Sequence, residues 1–123
     1  MQIEVSVGEV LDKLSILKLK LNNLKGRCSL EYVKKEYDYI SDIVENLDFS
    51  LSNPLYQQLE EINAELWGVE DALRLKEKER DFGATFVKLA RSVYKLNDQR
   101  FFVKNIINKE TSSSFQEQKN ITP

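Results

Sequence analysis

Two sets of charged and polar residues at helical spacing are where this sequence could do chemistry. Glu70, Arg74 and Glu77 are spaced four and three, and Arg91, Tyr94 and Asp98 three and four, with Asn97 and Arg100 beside the second set. Spacing of this kind puts each set along one edge of a helix. If the two edges face each other they enclose a semi-buried polar network whose arginines can grip a carboxylate or a phosphate. Glu70, Arg74, Glu77, Arg91, Tyr94, Asp98 and Arg100 are therefore the candidate ligand-binding residues. The competing reading of the same spacing is that these residues pair with one another and set the register of two helices.

No catalytic residue can be named. Histidine is absent and cysteine occurs once, as Cys28, which removes imidazole-based catalysis, Cys/His zinc sites and disulfides. The glycines Gly8, Gly26, Gly68 and Gly83 are isolated, so no phosphate-binding loop can be written. Carboxylates crowd one segment at Glu60, Glu61, Glu65, Glu70 and Asp71, but not at the E-E-x-x-E and E-x-x-D spacing of magnesium-dependent helical pyrophosphatases. They read as a solvated face, with no metal and no cofactor expected. The 18 basic and 20 acidic residues nearly cancel. The basic positions Lys13, Lys18, Lys20, Lys25 and Arg27 have no aromatics interleaved for base stacking, so no nucleic-acid partner is expected. No apolar run approaches the roughly 18 residues of a membrane span, and MQIEVSVGEV lacks the pattern of a leader. The expected setting is the cytoplasm, with no membrane partner.

The elements that carry these residues follow from periodicity. Ser6 and Glu9 form an S-x-x-E capping box flanked by Val5 and Val10, which starts a helix at Val7. Its stripe is Val7, Val10, Leu14, Leu17, Leu21 and Leu24, and Gly26 is its stop. A second helix begins near Ser29 with Leu30, Val33, Tyr37, Ile40, Val44 and Leu47. Asn53 as cap and Pro54 in the first turn open a third, with Leu55, Leu59, Ile62, Leu66, Val69 and Leu73. The repeat then meets Lys76 and Arg80, and a new stripe of Phe82, Phe86, Leu89, Val93 and Leu96 begins out of step. This predicts a break between Asp81 and Thr85 in preference to one bent helix. Trp67, next to Leu66, reads as packing, and Leu66 and Val93 as the core centre.

The fold class predicted is all-α: an antiparallel bundle of about four long heptad-patterned helices over residues 1–109, followed by a polar, disordered tail over 110–123. The third and fourth helices should overhang the first two. Ile16, Leu19 and the Phe101, Phe102, Val103, Ile106, Ile107 group lie off the main stripes, and some of that surface calls for a second cover, which makes a homodimer the expected assembly; the alternative is that the overhang folds onto the chain's own core.

Three stretches, IEVSVGEVLDKLSILKLK, NAELWGVEDALRLKEKE and DFGATFVKLARSVYKLNDQRF, resemble in order the blocks of a bacterial and phage family of domains of unknown function, number 6165. The resemblance spans roughly Met1 to Asn108. It implies no activity, substrate or cofactor. It directs attention to Asp12, Lys13, Trp67, Glu70, Asp71, Arg74, Arg91, Tyr94, Asn97, Asp98 and Arg100, the polar or aromatic positions of the blocks. Two functions fit the residues: a helical interaction or assembly module, and a small protein or enzyme that binds an anionic ligand between the third and fourth helices.

Overall fold

A computed structural model describes residues 1–113, which form four helices: α1 (Val7–Asn23), α2 (Arg27–Glu45), α3 (Pro54–Lys78) and α4 (Ala84–Glu110). Several boundaries have a local cause. Ser6 Oγ accepts a hydrogen bond from the Glu9 N–H at 3.2 Å, and Asn53 Oδ1 accepts one from the Leu55 N–H at 2.9 Å, ahead of a first turn that begins with Pro54. Glu9, expected to bond back to Ser6, instead turns its carboxylate to α4 and accepts from Lys104 Nζ at 2.9 Å. Gly26 stands at φ +113°, a backbone open to glycine, and turns the chain from α1 into α2. Among the described residues no helix is long and apolar enough to cross a membrane.

The break between α3 and α4 falls where the apolar repeat loses its phase. Asp81 accepts from Lys76 Nζ at 3.1 Å and from the Gly83 N–H at 3.3 Å. These bonds, the lysine's first, hold its carboxyl below the usual carboxylate range. At the other end Glu110 closes α4, Thr111 caps it, and Ser113 Oγ accepts from the Val7 N–H at 3.1 Å. The tail expected to begin at 110 is thus tied down in its first four residues, and 114–123 lie outside the described residues.

The helix α1 is central. It packs against each of the other three, while α3 and α4 form a hairpin and α2 lies chiefly along α1, reaching the core with Val44. A helix with partners on two sides buries two stripes. Leu11, Leu14 and Leu17 make one, joined in the core by Val44, Tyr56, Leu59, Ile62, Leu66, Leu96, Val103 and Ile107. Gly8, Asp12 and Ser15 make the other; the apolar periodicity read from the sequence included Leu14 and Leu17 of the first but not Leu11, and its Val7, Val10, Leu21 and Leu24 are only partly buried. Leu66 is buried as expected, but Val93 is only partly so, and Val103 and Ile107, expected to need an outside cover, are core.

With 25 and 27 residues, α3 and α4 run to about 38 and 40 Å against about 26 Å for the 17 residues of α1. The closed end of the hairpin therefore projects as a two-helix arm on which Leu73, Phe86 and Leu89 are only half-buried.

The approach of α1 to α4 is set by Gly8. A Cβ there would meet Asn108 Oδ1 and the Lys104 carbonyl oxygen, each at 2.7 Å, and the second is backbone that cannot swing aside. Gly68, in the middle of α3, faces open space. Replacing a helical glycine by alanine ordinarily stabilises by roughly 0.5–1 kcal/mol. We expect that gain for Gly68→Ala and a loss of about 1–3 kcal/mol for Gly8→Ala, read as opposite shifts in a urea midpoint.

Candidate functional site

The seam between α1 and α4 is polar along its length. Gly8 N–H donates to Asn108 Oδ1 at 2.7 Å, Lys104 Nζ to Glu9 at 2.9 Å, and Arg100 Nε to Asp12 Oδ1 at 2.8 Å, with Arg100 Nη2 on Asp12 Oδ2. The α4 residues are four apart, so they face α1 one turn above another. Asp12 is 3 % exposed and lies where α1 passes from α4 to α3. Asn63 on α3 completes its shell, donating from Nδ2 to Asp12 Oδ1 at 2.9 Å and to Ser15 Oγ at 2.7 Å, while Ser15 Oγ donates to the Asp12 carbonyl at 2.8 Å. A carboxylate so deeply buried is tolerable because a bidentate guanidinium and an amide replace its lost water.

This bonding settles how Arg100 is held: its fork is spent on a carboxylate of the protein. Beside it two depressions open. One, of about 400 Å³, lies between α1, α3 and α4 and is walled by Ile16, Leu19, Leu24, Leu66 and Trp67, with Lys20, Asn63, Glu70, Asp71, Arg74, Asn97 and Arg100 supplying the polar lining. The other, of about 520 Å³, lies towards α2 and shares Ile16, Lys20 and Arg100 with the first.

Of the seven ligand-binding candidates, the structure brings Glu70, Arg74 and Arg100 to the first depression. Glu77, Arg91 and Tyr94 are exposed outside its lining, and Asp98 is half-buried on α4. The edges of α3 and α4 do not close on each other as one network, because α1 lies over the hairpin and takes Arg100 for Asp12. Arg74 lies beside its neighbour Asp71, a solvent-exposed contact at 3.9 Å. Sequence periodicity missed Asn63, Ser15, Lys104 and Asn108. The available signal was a polar repeat, Gly8-Asp12-Ser15 on α1 and Arg100-Lys104-Asn108 on α4, at the same spacings as the apolar stripes.

The three blocks that resemble a family now lie on one fold, the first on α1, the second on α3 and the third on α4. The chain belongs to the family of unknown function DUF6165, whose model matches residues 1–123. No curated protein and no solved structure matches it. The positions that the family resemblance singled out sort into distinct places. Asp12, Trp67, Glu70, Asp71, Arg74, Asn97 and Arg100 lie at the buried pair and its depressions. Lys13 pairs with Glu36 of α2 at 3.1 Å, and Arg91, Tyr94 and Asp98 share another face of α4.

The shell of Asp12 has a testable polarity. Asn63→Asp replaces a donor by a second carboxylate against the first, and like charges in a buried site disfavour ionisation. The new carboxyl's pKa is raised in the folded state, so the penalty is absent below its unfolded value of about 4 and grows as pH rises through the folded value. The melting temperature of Asn63→Asp should fall well below wild type at pH 7, and the gap should narrow towards pH 4. A gap independent of pH would show that Asn63 does not face the Asp12 carboxylate.

Proposed function

We propose that this protein is a small helical assembly module that pairs with a second copy of itself through the outer face of α4. The observation that carries this reading is the composition of that face. Val87, Tyr94 and Phe102 are each about half exposed, and with Arg91 and Asp98 they fall within about 80° of the helix circumference at 3.6 residues per turn. Three large apolar side chains in line on an open face are costly to leave in water and typical of an interface.

The charges on that face are self-complementary. Two antiparallel copies of α4 related by a two-fold axis between Tyr94 and Lys95 set Arg91 opposite Asp98 of the other copy, and Val87 opposite Phe102, because each pair is equidistant from the axis. Both pairs occur twice, as an isologous contact requires. The result resembles a short antiparallel coiled coil, with apolar contacts supplying affinity and the ion pairs supplying register. Leu75 and Phe82, also about half exposed, extend the apolar surface onto the projecting arm. The reading sets the protein in the cytoplasm, where an exposed free thiol such as Cys28 stays reduced.

Sedimentation equilibrium should give twice the chain mass of 14.4 kDa at about 100 μM, where an association of roughly 6 kcal/mol is visible. Arg91→Glu should shift the equilibrium to monomer, and Arg91→Glu with Asp98→Arg should restore the dimer. A wild-type monomer at about 100 μM, or a dimer indifferent to Arg91→Glu, would overturn the proposed face.

A further inference from the structure

We infer that the depression between α1, α3 and α4 is a binding site for a small organic oxyanion with a flat apolar body, its anionic group held by Lys20 and Arg74 and its body against Trp67. This inference is independent of self-pairing, since its residues lie off the outer face of α4.

The depression combines the features that small-molecule sites share. Its volume of about 400 Å³ is in the range of small-ligand sites, and it joins an apolar wall of Ile16, Leu19, Leu24, Leu66 and Trp67 to a polar one. The floor is rigid, because Asn63 and Arg100 are fixed by the bonds that bury Asp12. Preorganised groups lose little entropy when a ligand arrives.

The charges of the lining nearly balance, with Glu70 and Asp71 beside Lys20 and Arg74 and Arg100 matched by Asp12, so it is the lack of an ion pair at Lys20 that favours an anionic group. Lys20 is half-buried, borders both depressions and has no ion-pair partner among the described residues. Arg74 touches Asp71 only at 3.9 Å and stays largely in water, so its fork can turn to a ligand oxygen. An oxyanion between the two gains charge-assisted hydrogen bonds that Lys20 lacks in the free protein. Trp67, half-buried on the wall, supplies a flat face of the kind that stacks on a planar group. Glu70 on the same lining accepts hydrogen bonds and favours a ligand that carries hydroxyl or amino donors beside its anionic group.

Trp67 is the only tryptophan in the chain, so its emission reports directly on the depression. Phenyl phosphate, which has the oxyanion and the flat body in one molecule, should change that emission saturably, with half-saturation at or below about 1 mM. Lys20→Gln should raise the half-saturation concentration at least about tenfold. Lys18→Gln, which removes a cation that pairs instead with Glu60 at 3.0 Å, should leave it unchanged within about twofold. Circular dichroism melts confirm that both variants are folded. Phenol, the body without the oxyanion, should give no saturable change at the same concentrations. The inference is overturned by the absence of a saturable phenyl phosphate signal up to about 10 mM, by a Lys20→Gln variant that titrates as wild type, or by phenol titrating like phenyl phosphate.

Discussion

The pairing of Asp12 with Arg100 is the interaction on which the rest of this structure depends. A carboxylate 3 % exposed on the central helix carries a desolvation cost of several kcal/mol, which only good geometry and further hydrogen bonds offset. Arg100 meets it with two donors and Asn63 with a third, so one residue of α1 is bonded to both helices of the hairpin. Apolar packing alone would let α1 slide or rotate over the hairpin with little loss, because Leu-rich stripes interchange. The pair admits one position. The close contact at Gly8 and the bonds from Asn108 and Lys104 then follow as the rest of a seam with a single register.

That register has consequences away from the seam. With α1 fixed across the open end of the hairpin, the closed end of α3 and α4 has no third helix to pack on, and its inner residues Leu73, Phe86 and Leu89 stay half-exposed. With Arg100 drawn to Asp12, the space between Lys20, Trp67 and Arg74 is not filled by its guanidinium, and a depression remains. The helix α4 serves both regions. Asn97 looks to the depression while Asp98, one residue on, belongs to the face with Arg91 and Tyr94, because adjacent helical residues diverge by about 100°.

How much of this was legible in the sequence divides along a physical line. Helix starts were readable because capping is local chemistry: Ser6 and Asn53 act on backbone N–H groups two or three residues away. The α3–α4 break was readable because the apolar repeat loses its phase beside the Asp81-Phe82-Gly83 punctuation, and one continuous helix of more than fifty residues is rare in a short chain. The partner of Arg100 was not, since Asp12 is 88 residues away and nothing in the spacing of one helix states which neighbour it faces. The polar stripe Gly8-Asp12-Ser15 could not be told from a solvated face for the same reason. Buried and exposed polar stripes have one periodicity and differ only in what covers them. Val103 and Ile107 were misplaced because they were counted against the stripe of their own helix, whereas α1 and α3 bring the cover.

A double-mutant cycle on Asp12→Ala and Arg100→Ala, followed by urea unfolding, tests most directly whether this pair holds the fold. Arg100→Ala should lose about 3–5 kcal/mol, because it leaves the buried Asp12 carboxylate without its partner, and Asp12→Ala somewhat less, because the Arg100 guanidinium borders the depressions and can reach water. The double variant should lose much less than the sum, with a coupling of about 2 kcal/mol or more. Additive losses, with a coupling below about 0.5 kcal/mol, would contradict the account and mean that α1 is held on the hairpin by its apolar stripe alone.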